Sequence, residues 1–467
     1  MMQEKIYFYY TNDLHSSFDH WPQVVGYIKR EKAKRIASGS SCWVVDVGDH
    51  IDRVDLIAEA FMGKANVELM NQANYDIVTL GNNEGITLSH EDLYHLYDNA
   101  QFDVVCANLD NMKQMNPDWL KPTIEIQSVQ GVQIGVVGLT AAFNAFYNLL
   151  DWHVHDPFRI LETEIERLKK STDVIVLLSH LGINEDRRIA ERFSDIDLII
   201  GGHTHHLFRT GETMNETLLT AAGKHCAYVG EVILTWDHTY HELIEKEAYT
   251  TNITHMEKDP QTIELLNDYR EKAAIQLGEP VINTEKPIDV HWFKDTEIMQ
   301  ALTDTLKDWT DADVAMLNSG LLLESFAAGE ITYQDIHRIC PHPINPCVVE
   351  VNGDELLEVI RASFTKELME LELKGFGFRG EVIGRMVFSG LEIETEGYGT
   401  DQEYVKSVTA QGNPLQSSKL YSLVVADTFT FGRLLPEVAK SPIKDYFLPE
   451  FIRDLLAQTL REKFADS

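Results

Sequence analysis

Several classes of protein are excluded by what this sequence of 467 residues contains in small amounts. Its five cysteines are odd in number and none forms a C-x-x-C pair, so we expect reduced thiols in the core. No apolar run reaches the roughly 18 residues that a membrane helix needs. The longest run, around 134–150, is interrupted by Thr140, Asn144 and Asn148. We therefore expect no contact with a membrane.

Basic residues are also scarce. The sequence has 40 Lys and Arg against 74 Asp and Glu, a net charge of −34 with histidine neutral. Such a surface repels a nucleic acid duplex, which carries about one charge per 1.7 Å of axis, so we expect no nucleic acid partner. A secretion signal is not recognised at the N-terminus, because the apolar residues after Lys5 are few and polar residues follow Tyr10 at once. A cytoplasmic location is therefore expected.

The remaining composition, 44% hydrophobic and 24% charged, is that of a globular protein, and the length suggests two or three domains. In the first half of the chain, short apolar runs alternate with amphipathic stretches. This pattern predicts an α/β fold with helices packed on sheets. The predicted strands are Ile6–Tyr10, Trp43–Val47, Ile77–Leu80, Ile134–Leu139, Val174–Leu178 and Leu198–Ile200, and the predicted helices are Val24–Ala37, Ile57–Gln72 and Phe158–Lys170.

A single capped helix separates two predicted domains. Asp259 and Pro260 can start it, and Gly278 can end it. We predict a first domain over 1–255, a linker helix within 256–280, and a second, mixed α+β domain over 281–467. In the second domain, helices are predicted at Thr296–Trp309 and Gly353–Leu373, and strands at Val314–Leu317, Met386–Thr395 and Leu420–Ala426.

Metal-ligand residue types follow five of the apolar runs of the first domain. Because such loops gather at one edge of an α/β sheet, we expect these side chains to converge. Mixed carboxylate, imidazole and amide ligands suit Mn²⁺, Zn²⁺ or Fe²⁺, and two such ions about 3.5–4 Å apart promote phosphoryl displacement. The glycines that precede three of the ligands would allow close backbone approach. The segments are Asp13-Leu14-His15, Gly48-Asp49-His50-Ile51-Asp52, Gly81-Asn82-Asn83-Glu84, Ser179-His180-Leu181-Gly182 and Gly201-Gly202-His203-Thr204-His205-His206.

The order of these motifs resembles that of the calcineurin-like metallophosphoesterases, and more narrowly the two-domain bacterial 5'-nucleotidases. The resemblance implies a four-layer sandwich of sheets flanked by helices, followed by an α+β substrate-binding domain. It also implies a hydrolase of nucleotide phosphoric esters that uses two divalent metal ions and a metal-bridging hydroxide. By the same resemblance, Asp13, His15 and His205 hold one ion, Asn82, His180 and His203 hold the other, and Asp49 bridges them.

The sequence departs from the family at the catalytic histidine. Where the family has a histidine after Asn82, this chain has Asn83, and the aspartate that orients it is replaced by Ile86. Asparagine donates hydrogen bonds but cannot release a proton, and a positioned acid is typically worth about 10²–10⁴ in rate. We still expect Asn82, Asn83 and His180 to contact the phosphoryl oxygens.

Two interpretations follow from this replacement. In the first, the enzyme favours leaving groups that depart without protonation, such as phosphates, and hydrolyses nucleotide sugars or other pyrophosphate-linked nucleotides. In the second, His50 or His225 reaches the site and restores hydrolysis of nucleoside monophosphates. A metal-loaded nucleotide sensor without catalysis is the alternative class. A single-strand nuclease is disfavoured by the acidic charge.

Two clusters of aromatic residues and arginine mark the second domain. The resemblance implies that two phenylalanines hold the nucleotide base there, and stacking is worth about 1–3 kcal/mol per base. We expect at least one phenylalanine from each cluster to contribute, although most phenylalanines pack in cores. The turn at Asn318 leads to a substrate-binding arginine in the family, but Leu321 follows here. The predicted substrate-binding residues are Phe376, Phe378, Arg379 and Arg385 in one cluster, Phe429 and Phe431 (with Arg433 nearby) in the other, and Asn318.

Overall fold

The structure is a computed structural model that describes residues 3–400, 403–432 and 434–465. It divides into two compact units, Met1–Ala273 and Ala274–Ser467. The division falls within the helix Pro260–Leu277, which lies where the linker helix was predicted. Within the described residues, no helix combines the length and the apolar character needed to cross a membrane.

Two large sheets form the centre of the first unit. A small two-stranded sheet, Leu109–Asn111 with Trp152–Val154, lies beside them. In spatial order, the seven-stranded sheet contains Glu242–Asn252, Tyr228–Asp237, Gln3–Thr11, Ser41–Asp46, Ile77–Val78, Asp103–Val105 and Leu120–Lys121. The six-stranded sheet contains Glu212–Met214, Thr217–Thr220, Leu198–Gly201, Val174–His180, Gln133–Thr140 and Thr123–Gln127.

The central strands of both sheets are parallel, and this brings the functional loops together. Gln3–Thr11 pairs in parallel with Ser41–Asp46. In the other sheet, Val174–His180 pairs in parallel with both Gln133–Thr140 and Leu198–Gly201. Because the carboxyl ends of parallel strands meet at one edge, the loops that follow these strands collect there.

Packing of the apolar faces produces four layers. Phe8 of the first sheet and Val136 and Val176 of the second belong to one buried cluster between the sheets. The helix Pro157–Leu168 covers the outer face of the six-stranded sheet through a second cluster, and Trp21–Ala37 packs on the first sheet. The predicted sandwich of two sheets flanked by helices is confirmed.

One predicted helix of the first unit is interrupted. The stretch predicted as Ile57–Gln72 forms two helices, because Met62 and Gly63 both have left-handed φ angles, 48° and 79°. A left-handed residue ends an α-helix. The helices that begin in this unit are Trp21–Ala37, Leu56–Phe61, Lys64–Gln72, Asn82–Thr87, His90–Tyr94, Asn144–Tyr147, Pro157–Leu168, Ile183–Arg192 and Pro260–Leu277, the last of which continues into the second unit, with 3-10 turns at Phe18–His20 and Asn148–Leu150.

The second unit is mixed α+β, as predicted. Its five-stranded sheet contains Met386–Ser389, Val314–Asn318, Leu420–Ala426, Pro346–Asn352 and Lys444–Tyr446. Smaller sheets pair Glu392–Glu396 with Tyr404–Ala410 and Asn413–Pro414, and Pro280–Thr284 with Gly329–Thr332. The helices are Glu297–Thr310, Tyr333–Ile339, Gly353–Ser363, Lys366–Met369, Pro436–Ala439 and Ile452–Lys463, with 3-10 turns at Ser319–Leu321 and Asp427–Thr430.

Two predicted elements of the second unit are corrected. The helix predicted over Gly353–Leu373 ends at Ser363, and a short new helix starts where the Thr365 side chain accepts a hydrogen bond from the Leu368 N–H. The strand predicted over Met386–Thr395 is divided at Gly390, whose φ of 85° turns the chain into a different sheet. Both breaks depend on single residues within otherwise continuous patterns.

Candidate active site

Two loops of the first unit are joined by backbone hydrogen bonds at the edge of the sheet. The Asp13 N–H donates to the Gly48 carbonyl at 3.0 Å, and the His15 N–H donates to the Asp49 carbonyl at 2.9 Å. Such pairing holds residues in left-handed conformations, each of which costs about 1–3 kcal/mol and which cluster at functional sites. Left-handed φ angles occur at Asp13 (51°), His15 (50°), Asp49 (49°), His203 (70°) and His205 (56°).

The predicted ligand residues form two neighbouring groups. The first ligand group is Asp13, His15 and His205, whose ligand atoms lie within 4.8 Å of one another. The second ligand group is Asp49, His180 and His203, which meets the same limit. The four histidines and Asp13 fall into the groups that the family resemblance implies, and Asp49, the expected bridging residue, belongs to the second group. That these residues bind two ions stays a prediction.

Asp49 of the second ligand group also approaches the first group. Its Oδ2 is 3.3 Å from Nε2 of His180 and 3.7 Å from Nε2 of His15, which belongs to the first group. Asn82 offers a further ligand atom for a metal ion. Its Oδ1 is buried and accepts no hydrogen bond from the described residues. A carboxylate placed between two ligand groups can bridge two cations.

The charges of this site favour cations. Burial alone would lower the pKa of His180, but the carboxylates of Asp49 and Asp13 outweigh it and raise that pKa to about 10. Burial likewise opposes ionisation of Asp49, yet His180 and His15 hold its pKa below the usual range. Protonated imidazoles thus balance the buried negative charge of these carboxylates. Divalent ions that bind here would displace the protons. The donor set fits two metal ions.

A glycine is required where the two loops meet. A Cβ atom on Gly81 would lie 2.0 Å from the Asp49 carboxylate, and one on Gly202 would lie 2.9 Å from Nδ1 of His180. Both are shorter than side-chain contacts allow. The backbone approaches closely at these glycines, with both ligand side chains and backbone atoms such as the Asp49 nitrogen as neighbours. The predicted approach of this backbone to metal ions stays a prediction.

Residues behind the ligands orient them. Nδ1 of His180 donates to the Val47 carbonyl at 2.6 Å, which leaves Nε2 facing Asp49. The Asn12 amide donates to Oδ2 of Asp13 at 2.6 Å. No sequence motif includes Asn12, whose only signal is its place between the strand Gln3–Thr11 and Asp13.

The second unit brings together one phenylalanine from each aromatic cluster. The rings of Phe376 and Phe431 are 11° from parallel, with centroids 6.1 Å apart. Phe376 is half exposed, and its carbonyl accepts a hydrogen bond from the Thr428 hydroxyl at 2.9 Å. That bond ties the two aromatic loops together. We define Phe376 and Phe431 as the ring pair.

Comparison with known proteins agrees with this geometry. A profile of the calcineurin-like phosphoesterases matches residues 6–207, and a profile of the 5'-nucleotidase C-terminal domain matches residues 279–433. An uncharacterized metallophosphoesterase, YunD, of Bacillus subtilis (strain 168) is 40% identical over 463 residues, which is 99% of this chain and 100% of the relative. The chain belongs to the two-domain metallophosphoesterases of the 5'-nucleotidase family.

Solved structures of other proteins have the same fold as this phosphoesterase. A 5'-nucleotidase precursor from Thermus thermophilus superposes with a TM-score of 0.61 at 19% identity, over 99% of this chain and 97% of that one. The NAD nucleotidase of Haemophilus influenzae superposes with a TM-score of 0.69 at 16% identity, over 100% and 97% of the two chains. The resemblance recognised in the motifs is confirmed, and the protein is a hydrolase whose family implies divalent metal ions.

The Asn83 side chain of this phosphoesterase is directed at protein atoms, whereas a contact with a phosphoryl oxygen was predicted. Its Nδ2 donates to the Ile51 carbonyl at 3.1 Å and lies 3.0 Å from Nδ1 of His15. Its backbone N–H donates to Oδ1 of Asp49 at 2.8 Å. Because its amide nitrogen already has two neighbours within the loops, the predicted donation to a phosphoryl oxygen is corrected: this side chain braces the site.

The two histidines considered as replacements occupy different environments. His50 is buried, packs edge-on against Trp21 at 5.1 Å, and has its pKa lowered to about 3 by burial. It points into the core of the phosphoesterase, so the prediction that it reaches the substrate is wrong. His225 is exposed, and its ring centroid lies 6.0 Å from that of His15.

The structure encloses two of the predicted substrate-binding aromatic rings. Phe378 is 3% exposed and stacks on His342 with centroids 5.1 Å apart. Phe429 is completely buried. Neither offers a ring face to a ligand, so their predicted contact with substrate is corrected, and both contribute to the core of the second unit.

Two predicted polar contacts in the second unit are also corrected. The Asn318 amide is buried and donates to the Ile383 carbonyl at 2.8 Å. The Arg385 guanidinium is buried and donates to Glu403 and Asp295 at 2.8 to 3.0 Å. Of the remaining arginines, Arg379 is exposed and next to Phe378, and Arg433 lies outside the described residues.

Proposed function

We propose that this phosphoesterase hydrolyses phosphoric esters of nucleotides with two divalent metal ions, and prefers substrates whose leaving group is itself a phosphate. The observation that carries the proposal is the position of the Asp49 carboxylate, which lies close to histidines of both ligand groups. Membership of the 5'-nucleotidase family supports nucleotides as the substrate class. Nucleotide sugars and dinucleotides are the proposed substrates.

Each ion would have its own ligands. Asp13, His15 and His205 would hold the first, and Asn82, His180 and His203 the second, with Asp49 shared. Bound divalent ions lower the pKa of water and neutralise charge on phosphoryl oxygens. Hydrogen bonds within the chain orient the ligand atoms. The bond from Nδ1 of His180 to the Val47 carbonyl is one example.

The ring pair is the proposed base-binding element. A flat base in van der Waals contact with two rings needs roughly 7 Å between them, from a contact distance of about 3.5 Å on each side. The ring planes of Phe376 and Phe431 are nearly parallel, as a base held between them requires, and their centroids are 6.1 Å apart, so the loops would separate to admit a base. Stacking is tolerant of base identity because every base has an aromatic face.

The preferred leaving group follows from Asn83. An alkoxide departing from a nucleoside monophosphate requires a proton, which asparagine cannot supply. A phosphate leaving group has a second pKa of about 6 and departs at neutral pH without one. The similarity in fold to an NAD nucleotidase, whose name refers to a dinucleotide, is consistent with this preference.

A substrate panel tests the proposal. With Mn²⁺, Zn²⁺ or Fe²⁺ added, we expect faster hydrolysis of a nucleotide sugar and a dinucleotide than of a nucleoside monophosphate. Faster hydrolysis of the monophosphate would contradict the preference for phosphate leaving groups. Tight nucleotide binding without any hydrolysis would instead indicate a sensor.

Metal content is tested separately. Elemental analysis should find two ions per chain, and Asp49→Asn should lose both, because it removes the shared ligand. Asp308→Asn, on an exposed helix position of the second unit, is the matched control and should retain them. An Asp49 variant with full metal content would refute the bridging role.

A further inference from the structure

A short loop, residues 223–226, is hydrogen-bonded to the loops that carry the candidate metal ligands. The His225 N–H donates to the Asp13 carbonyl at 2.8 Å, and the Gly223 N–H donates to the His206 carbonyl at 2.8 Å. The Asn12 amide donates to the Gly223 carbonyl at 2.7 Å. The position of His225 is therefore set by the same residues that set the position of the first ligand group.

The backbone of this loop is strained. Gly223, His225 and Cys226 have left-handed φ angles of 78°, 55° and 47°. For side chains other than glycine such angles are unfavourable and persist where surrounding contacts enforce them, often at functional sites. The result is that neighbouring side chains diverge: Cys226 is buried, whereas His225 is exposed.

The ring of His225 stands at the rim of the first ligand group. It is perpendicular to the ring of His15, with centroids 6.0 Å apart. It belongs to neither ligand group, and the described residues form no hydrogen bond with it. Partial burial, followed by the charge of His15 and Lys224, lowers the pKa of His225 to about 4. An imidazole keeps at least one N–H donor in either protonation state.

We propose that His225 is a substrate-contact residue that donates a hydrogen bond to a phosphoryl oxygen bound at the first ligand group. This deepens the proposed function and rests on it. The contact supplies the donor that Asn83, engaged with Ile51 and His15, does not provide. No proton is transferred from His225, so the preference for phosphate leaving groups is unchanged.

Substitution of the ring tests the proposal in the metal-loaded enzyme. His225→Ala should lower kcat/KM for the preferred nucleotide roughly 10²-fold, the usual loss when one donor to a phosphoryl or oxyanion centre is removed. His225→Asn should retain much of the activity, because asparagine tolerates the left-handed backbone and donates hydrogen bonds. Metal content should stay at the wild-type value in both variants.

His241 provides a matched control. It is also exposed and has a left-handed φ of 55°. It lies in the turn after Tyr228–Asp237, at the opposite end of that strand from His225, about 30 Å away at 3.4 Å per residue. His241→Ala therefore removes the same side chain from the same backbone conformation, and we expect wild-type kinetics.

Binding of inorganic phosphate gives a readout that does not require turnover. Calorimetry with the Mn²⁺-loaded protein should show at least tenfold weaker phosphate binding for His225→Ala than for His241→Ala. Equal binding and equal kcat/KM in the two variants would overturn the role of His225, as would a loss of metal from His225→Ala. If the wild type hydrolyses no phosphoester, the proposed function fails, and phosphate binding still decides the contact.

Discussion

Phe376 and Phe431 face each other in the second unit, with ring planes 11° from parallel and centroids 6.1 Å apart. Phe376→Ala and Phe431→Ala should each raise KM for a nucleotide about 5- to 150-fold, which corresponds to the 1–3 kcal/mol of one base stacking contact. Steady-state kinetics with a nucleotide and with an aliphatic phosphoester would measure the effect. Only the nucleotide should be affected.

Phe293 is the control for the ring pair. It is an exposed phenylalanine of the same unit with no place in the proposed site. Phe293→Ala should leave KM unchanged. If the ring-pair variants behave like Phe293→Ala, base stacking between these rings is refuted.

Restoring the missing histidine tests the interpretation of Asn83. Asn83→His provides a group that can protonate an alkoxide, so hydrolysis of a nucleoside monophosphate should rise much more than hydrolysis of a nucleotide sugar. The measurement is the ratio of kcat/KM for the two substrates. Asn267→His, at an exposed position of the helix Pro260–Leu277, should leave the ratio unchanged. An equal increase for both substrates would argue against leaving-group protonation as the missing function.

Arg385 is predicted to stabilise the second unit without contacting substrate. Its guanidinium forms a buried pair with Glu403, and their side chains are 6% and 3% exposed. Arg385→Ala should lower the free energy of unfolding by about 3–5 kcal/mol, because it leaves a buried carboxylate without its partner. Arg361→Ala, which breaks an exposed pair with Glu358, should cost less than about 1 kcal/mol. Denaturant unfolding measures both, and an unchanged KM for the residual folded Arg385→Ala enzyme is expected.

The stability of the second unit should depend on the protonation of Asp427. Burial raises the pKa of its carboxyl to about 8 from the ordinary value of 3.8, although hydrogen bonds from backbone N–H groups oppose the shift. Between these values the folded state binds a proton that the unfolded state releases, so the free energy of unfolding falls as pH rises from about 4 to about 8.

The Asp427 contribution can be isolated by substitution. Asp427→Asn removes the titration, and its unfolding free energy, measured between about pH 5 and pH 8, should fall less steeply with pH than that of the wild type. Asp308→Asn, at an exposed carboxylate, should retain the wild-type slope. A wild-type slope in Asp427→Asn would show that other groups determine the pH dependence.

The convergence of the candidate metal ligands could be predicted from the sequence because its determinants are local. Each ligand follows an apolar run, and parallel strands carry their carboxyl ends to one edge whatever their detailed packing. Asp13 and Asp49 are far apart in the chain, yet both positions follow from this rule. The glycines beside the ligands were equally recognisable, since Gly81 leaves no space for a Cβ atom.

Other features depended on contacts that no local pattern contains. The break at Met62 lies within an unbroken amphipathic stretch, and the choice of Phe376 over Phe378 depends on which ring His342 covers. His225 was one of two histidines that the sequence left open, and exposure distinguished it from His50.

The sequence by itself therefore determined the family and the α/β sandwich, and it placed the candidate ligand residues at one edge of the sheets, because motif order and strand order suffice for that. The tertiary structure decided which aromatic rings face solvent. It also decided that Arg385 forms an ion pair with Glu403 and that the Asn83 amide is directed at His15. These outcomes depend on burial and on contacts between segments that are distant in the sequence. The residues next to each side chain in the sequence do not indicate which distant residue it will contact.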